Sequence, residues 1–424
     1  MNASAFDKVI GYDSVKNELK LLSDVWRNSD KYKKIGGKPP HGLLLHGDPG
    51  LGKTLFAACL IEECGLPSFT VRKDKSNGAF LDELRLAFDE AKANAPAVIL
   101  LDDLDKFTND SSENHRDADE YVAVQTGMDA TSDCGVFVIA TVNARWKLPE
   151  SLVRSGRFDV EIELLTPSLD DTEKIIRHYL EGIGVDLGDA DLREFAGIMV
   201  ENSCADVESV VNRAGIYAVY DGRETVTRDD LIRACLRKFF NAPDGVDNYT
   251  PATRYRIAYH EAGHAIVADL LEPGSVNLIS IKATDGVVGG TVSYRKDPDY
   301  THRILYQENR VLALLAGKAA TELVLGEPDL GAQTDVNRAM HVVERFRDNY
   351  SVYGFANVVD HRTPPDVKAD AHRRLTVELE NYYRQAKKIV AEHRPYLDAV
   401  AKALLEKETL LGCDLARIRQ SVEG

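Results

Sequence analysis

The sequence predicts an α/β unit, a parallel sheet with helices on both faces closed by a small helical lid, followed by a mainly α-helical unit with a small β-sheet. Three observations predict this. Between Gly42 and about Leu165, short apolar runs alternate with amphipathic stretches, the mark of buried strands joined by helices. From about Pro167 to Phe240 the apolar spacing is three-to-four throughout, which is helical. Beyond a linker, helical periodicity is interrupted by "NLISIKATDGVVGGTVSYRK", which alternates like a small antiparallel sheet.

Taken in order, "GLLLHG", "LPSFTV", "AVILLDDLD", "CGVFVIATVN" and "DVEIELL" are the strands of the first unit, with "LFAACLIEEC" and "LDELRLAFDEAKA" among its helices. "DDTEKIIRHYLEGI", "DLREFAGIMVE", "CADVESVVNRAGIYAVYDG" and "TRDDLIRACLRKFF" form the lid, without strands. The boundaries predicted are an α/β domain over 1–166, a lid over 167–241, a linker over 242–250 and a final domain over 251–424. Thr250 is placed to cap a helix that has Pro251 at its first position and runs to about Leu271. Pro395 separates two helices in the long periodic stretch near the C-terminus.

A chain of 424 residues exceeds what one compact core usually holds. Its 52 basic against 68 acidic residues give a net charge of −16, with no dense Lys/Arg run, which argues against nucleic acid as a partner. Six cysteines without a Cys-x-x-Cys pair fit a reducing compartment. No apolar run reaches the roughly 18 residues of a membrane span. The expectation is a cytoplasmic chain, in contact with a membrane only through an N-terminal segment missing from the sequence.

Gly47, Asp48, Pro49, Gly50, Leu51, Gly52, Lys53 and Thr54 form G-x-x-x-x-G-K-[ST] between a strand and a helix. Glycines let backbone amides converge on phosphate oxygens, Lys53 is placed to reach the β/γ-phosphates, and the Thr54 hydroxyl is placed to ligate Mg²⁺ of bound ATP. Asp102 and Asp103 close an apolar strand, where a metal-holding carboxylate is needed. Asn143 ends the next strand and is placed to orient a water near the γ-phosphate. "LVRSGRFD" adds Arg154 and Arg157.

In "AYHEAGHAI", His260 and His264 lie four apart and project from one helical face, able to share one Zn²⁺. Glu261 is placed to take a proton from water at the metal. Zinc needs a third protein ligand, for which Glu322, Asp335, His341 and His361 are candidates that spacing does not separate. The residue six beyond His264, where a third histidine often stands, is Leu270.

"GDPGLGKT", "ILLDDLD", "ATVN" and "RSGRFD", in this order, resemble an AAA+ ATPase module, and "CADVESVVNRA" resembles part of its lid. The resemblance implies that Arg154 and Arg157 reach the γ-phosphate held by a neighbouring subunit, and hence a ring, usually of six. With "HEAGH" and "GAQTDVNRA" added, the chain is similar to the FtsH family of ATP-dependent zinc proteases from about Phe6 nearly to its end. That likeness implies Asp335 as third ligand, Glu261 as base, Zn²⁺, ATP and Mg²⁺ as cofactors, and protein substrates pulled by a homohexamer into a proteolytic chamber. It also implies pairing of an extended substrate with the small sheet near "GVVGGTVSY".

Two departures from the family pattern shape the alternatives. The second acidic residue is Asp103 where glutamate is usual, and "TVRKDKSNGAFLDEL" lacks the aromatic-apolar-glycine grip, leaving Phe80, expected to pack at a helix start. They suggest a zinc peptidase whose ring hydrolyses ATP slowly and serves assembly or gating. A further alternative is a non-enzymatic nucleotide-binding subunit of a related ring.

Overall fold

The computed structural model describes residues 4–73, 77–108, 119–242, 249–282, 289–295, 303–327, 330–350, 352 and 363–423. The chain divides into two compact units, Met1–Ile183 with Met199–Asn212, and Gly184–Ile198 with Arg213–Gly424. The division runs through the predicted lid, so its helices are shared between the units.

The first unit contains α1 (Asp13–Arg27), α2 (Ser29–Lys34), β1 (Gly42–His46), α3 (Lys53–Cys64), β2 (Ser68–Val71), α4 (Asn77–Ala93), β3 (Ala97–Leu101), α5 (Asp119–Thr131), β4 (Val136–Val142), β5 (Phe158–Glu163) and α6 (Leu169–Leu180). The five strands are parallel in the order β2-β3-β4-β1-β5, as the apolar runs predict. Successive strand residues point to opposite faces, and both faces are apolar here. Leu44, Ile99, Leu101 and Val138 enter one core with Phe88 and Tyr121. Leu43, Leu45, Val98 and Phe137 enter the other with Leu19 and Phe56. Trp26 stacks on Phe137 with ring centroids 4.9 Å apart and donates its indole N–H to the Pro40 carbonyl at 2.9 Å.

Because β1 lies between β4 and β5, the loop that leaves its C-terminal end emerges at mid-sheet, close to the ends of β3 and β4. Ligands of open α/β sheets gather at such an edge. Phe80 is fully buried, edge-on to Phe107 at 4.7 Å, so this aromatic packs inward as expected.

The second unit begins with β6 (Gly184–Asp186) and α7 (Asp189–Met199), and α8 (Cys204–Tyr220) crosses the division. There follow β7 (Thr225–Thr227), α9 (Arg228–Phe239), α10 (Pro251–Leu271), β8 (Val276–Ser280), β9 (Thr291–Tyr294), α11 (Ile304–Leu325), α12 (Gln333–Asp348), α13 (Pro365–Glu392), α14 (Arg394–Lys407), β10 (Thr409–Leu411) and α15 (Gly412–Glu423). β6 and β7 pair in parallel, a correction to the strandless lid. Three-residue strands are too short for alternation to register, and β10 is equally short. It adds a third strand to the small antiparallel sheet, ordered β10-β8-β9.

α10 starts as its sequence requires, with the Thr250 side chain accepting from the Thr253 amide at 3.2 Å and proline in the first turn. Its middle is buried, from Ile257 through Asp269 apart from His260, whose side chain is partly buried. It runs against α11, which offers Ala313, Ala316, Gly317, Ala319 and Ala320. At Gly263 a methyl group would stand 2.6 Å from both the Ala316 carbonyl oxygen and the Ala320 methyl. Gly263→Ala should therefore separate the two helices and destabilise this unit by about 1–3 kcal/mol, read as a lowered unfolding midpoint in denaturant.

Candidate metal centre and nucleotide site

Glycine conformation shapes the phosphate loop. Gly47 has φ 142°, Gly50 82° and Gly52 86°, and a side chain at Gly47 would meet the Leu164 carbonyl oxygen at 2.2 Å. Lys53 is buried, and its ammonium donates to the carbonyls of Gly47 at 2.7 Å and Asp48 at 2.8 Å. Burial pushes its pKa down, opposed by Asp103, Asp105 and Asp48. Leu51 is buried below the loop, and the Gly50 carbonyl accepts from the Ala205 amide at 3.1 Å.

Asp102 is buried, and its Oδ1 accepts from the hydroxyls of Thr54 at 2.9 Å and Thr141 at 2.7 Å, while Arg72 bonds Oδ2. The loop threonine and the strand-end carboxylate thus meet, as an Mg²⁺ site requires. Asp103 has φ 57°; its carboxylate accepts from Lys106 at 2.8 Å and from the Asn143 amide at 3.3 Å. Asp105, which sequence reasoning missed, accepts the backbone amides of Asn143 and Ala144 at 3.2 Å each and so aims Asn143. The signal was present in "LDDLD", whose third aspartate follows the pair.

The two arginines differ. Arg157 is buried and forks onto Asp129, with Nε to Oδ1 at 2.9 Å and Nη2 to Oδ2 at 2.7 Å. Arg154 is exposed.

In the second unit α10 delivers His260 and His264, and α12 delivers Asp335 from its first turn. His264 Nε2 lies 3.0 Å from His260 Nε2 and 3.4 Å from Asp335 Oδ2, and His260 Nε2 lies 3.2 Å from the same oxygen. The opposite nitrogen of His264, Nδ1, donates to the Ala313 carbonyl at 2.7 Å, which leaves Nε2 as the metal-facing lone pair. Gly317 of α11 makes the site possible, since a methyl group there would lie 2.4 Å from His264 Nε2 and 2.9 Å from His260 Cε1. Two imidazoles and one carboxylate, converging in a partly buried pocket, form a donor set suited to zinc.

The other candidates are elsewhere. Glu322 bonds Lys318 and Lys387, the latter at 2.6 Å. These ammonium groups outweigh burial and hold its carboxyl down at about 2. His341 is exposed and pairs with Glu344 at 3.0 Å, and His361 lies outside the described residues.

Charge within the cluster is settled internally. Burial works to raise the Asp335 pKa, but hydrogen bonds from the two imidazoles hold it well below the usual carboxylate range. Burial likewise opposes charge on His264, yet the Asp335 carboxylate wins and pushes the imidazole up to about 9. Glu261 is buried beside them and its pKa is raised, by burial first, with the imidazoles pulling the other way. Gly290 gives Glu261 a backbone hydrogen bond, and a side chain at Gly290 would press on Glu261 Cγ at 2.6 Å. Tyr294 of β9 keeps its phenolic proton, through burial and then the negative charges of Glu261 and Asp335. A cleft of about 810 Å³ opens over His260, Glu261, His264 and Asp335, with β9 as one wall.

The sequence matches the ATPase family associated with various cellular activities (AAA) over residues 43–165 and peptidase family M41 over residues 248–418. Among curated relatives, an ATP-dependent zinc metalloprotease FtsH 2 of Symbiobacterium thermophilum is 31% identical, over 97% of this chain and 74% of the relative. The protein of that name from Thermoanaerobacter sp. is 27% identical, over 96% and 81%. An ATP-dependent zinc metalloprotease FtsH of Caldicellulosiruptor bescii is 29% identical, over 97% and 71%.

Two outcomes follow from the geometry. Gly317→Ala should lower zinc affinity about 10- to 100-fold, the range for disturbed metal surroundings, while nucleotide affinity stays unchanged; zinc titration and nucleotide binding on one preparation check this. Because the His264 pKa is raised above neutrality, the metal-free imidazole is protonated at pH 7 and must lose that proton to coordinate. Zinc binding should therefore release about one proton at pH 7, the release fading as pH rises through 9. Calorimetry in buffers of differing ionisation enthalpy measures it.

Proposed function

The chain belongs to the FtsH family of ATP-dependent zinc metalloproteases, and from that premise we propose that His260, His264 and Asp335 hold its zinc, with Glu261 as general base and acid. The protein is an ATP-dependent zinc endopeptidase. The observation that carries the assignment of residues is the convergence of two imidazoles, one carboxylate and a second, buried carboxyl on a single cleft.

Zinc supplies Lewis acidity toward a peptide carbonyl and toward water. The chain's own residues do the rest. Ala313 fixes the His264 tautomer, and Asp335 offers a negative charge to the metal. Glu261, its proton affinity raised by burial, takes a proton from water and passes it to the leaving amine. β9 is the edge of its sheet among the described residues, and an extended substrate can add there as a further strand. Such main-chain pairing makes cleavage depend little on sequence.

In the ATPase module, residues 47–54 cradle the phosphates, Thr54 and Asp102 hold Mg²⁺, and Asp103 with Asn143 orient the attacking water. We assign 1–166 to the ATPase domain, 167–241 to its lid, 242–250 to a linker and 251–424 to the peptidase. The substrates are proteins, handled by a homohexameric ring in which Arg154 reaches the nucleotide of the neighbouring subunit. Arg157, tied to Asp129, supports that loop. Peptide hydrolysis itself needs no ATP, whereas unfolding a domain costs about 5–15 kcal/mol, which ATP turnover supplies. Among the described residues no helix is long and apolar enough to cross a membrane. We place the catalytic part in the cytoplasm, in keeping with six free cysteines.

Glu261→Gln should reduce cleavage of casein about 10²- to 10⁴-fold with zinc content unchanged. Loss of zinc from that variant, or cleavage at the native rate, would overturn the assignment. The arginines should separate as well. Arg154→Ala should lower ATP turnover of the assembled ring about 10³-fold at unchanged nucleotide affinity, while Arg157→Ala should lower the unfolding midpoint by freeing Asp129.

A further inference from the structure

The cleft over the metal centre carries charges that the peptidase reading does not use. Arg256 stands four residues before His260 on α10, and Arg338 three after Asp335 on α12, so each shares a helical face with a metal ligand. Both side chains line the cleft and both are exposed. A third arginine, Arg310 on α11, lies with Arg338 within electrostatic reach of the Tyr294 phenol on the strand that walls the cleft. Two helices thus each send a guanidinium to one cleft, in a chain whose net charge is −16. Among the described residues, the carboxylates lining the cleft are Glu261 and Asp335, which belong to the catalytic centre, and Glu327.

Resting on the peptidase reading, we propose that Arg256 and Arg338 favour polypeptide segments bearing an acidic side chain about two residues from the scissile bond. Four residues of helix advance about 6 Å and three about 4.5 Å, while an extended chain advances about 3.3 Å per residue. A substrate strand lying along β9 with its scissile carbonyl at the metal centre spans about 6.6 Å to its second neighbours, comparable with the rise along α10 that separates Arg256 from His260, and both arginines line the same cleft. Their planar forks suit carboxylates, which they grip through two parallel hydrogen bonds. Backbone pairing to β9 does not distinguish one sequence from another, so this charge is a source of selectivity laid over it. The arginines are specificity-determining and take no part in bond breaking.

The test uses the full chain with zinc and quenched-fluorescent peptides that differ only in carrying Asp, Ala or Lys two positions from the scissile bond. The Asp peptide should exceed the Ala peptide about fivefold in kcat/KM, as expected of a partly exposed ion pair, through KM and with kcat little changed. Added salt should weaken the preference. Arg256→Ala with Arg338→Ala should abolish it while the Ala peptide is cleaved at the native rate, and Arg256→Glu with Arg338→Glu should turn it toward Lys. Equal cleavage of the three peptides by the native chain, or a preference indifferent to charge reversal, overturns the proposal and leaves the peptidase reading standing. Failure to cleave any of them counts against the peptidase reading instead. The preference is then decided by fluorescence anisotropy of the same peptides on the zinc-loaded Glu261→Gln variant, where equal affinities overturn it.

Discussion

The catalytic half of this protein depends on how closely two helices approach. α10 carries both imidazoles on one face, and the pair can converge as a metal site only because α11 passes without side-chain bulk at Gly317 and accepts the backbone of α10 at Gly263. That contact also brings the Ala313 carbonyl to His264 Nδ1, so one packing event buries the histidine, orients its ring and selects its tautomer. Small residues achieve this where larger ones could not, because protein interiors are packed to crystal density and a single added methyl must displace something. Here it would displace the imidazole itself.

The nucleotide centre rests on a comparable economy of space. Gly47 lies against the Leu164 carbonyl, so the phosphate loop leaves β1 pressed against the segment that follows β5. β3 and β4 flank it with Asp102, Asp103 and Asn143. Neutral hydroxyls of Thr54 and Thr141 bind one oxygen of Asp102, and the Arg72 guanidinium takes the other, so a buried carboxylate is satisfied before any metal arrives. Asp103 is held similarly by Lys106 and Asn143. The shorter side chain at this position is therefore fixed in direction, and its reach is set by the backbone of the β3 terminus.

Much of this was legible in the amino-acid order, and the remainder was not for identifiable reasons. β1, β3 and β4 announced themselves because strands buried on both faces are apolar without interruption, the edge strands β2 and β5 through short or alternating apolar runs, and α10 because its cap, its proline and its histidine spacing agree. The phosphate loop and the His-Glu-x-x-His helix are local motifs, readable from neighbours in sequence. Gly317 is separated from His264 by 53 positions of sequence, and nothing in "LLAGKAA" says which partner its missing side chain accommodates. Spacing likewise left the third ligand open among Glu322, Asp335, His341 and His361. The geometry sends Glu322 to two lysines and His341 to solvent, and brings Asp335 to the imidazoles. The strands β6, β7 and β10 are three residues each, shorter than any period can reveal.

The aspartate of α12 proposed as third donor has a physical advantage in its position. Asp335 is the third residue of that helix, where amides lacking a helical partner and the helix dipole favour negative charge by about 0.3–1 kcal/mol. The carboxylate is thus stabilised from behind by its own helix and in front by two imidazoles, which explains why it stays ionised despite burial. The nearby Glu261 receives less help; buried on a mid-helix face, with one backbone hydrogen bond, it has a raised proton affinity. Two carboxyl groups in one cleft are thereby driven apart in acidity, one suited to ligation and the other to carrying protons. The division of labour follows from where on its helix each acid stands.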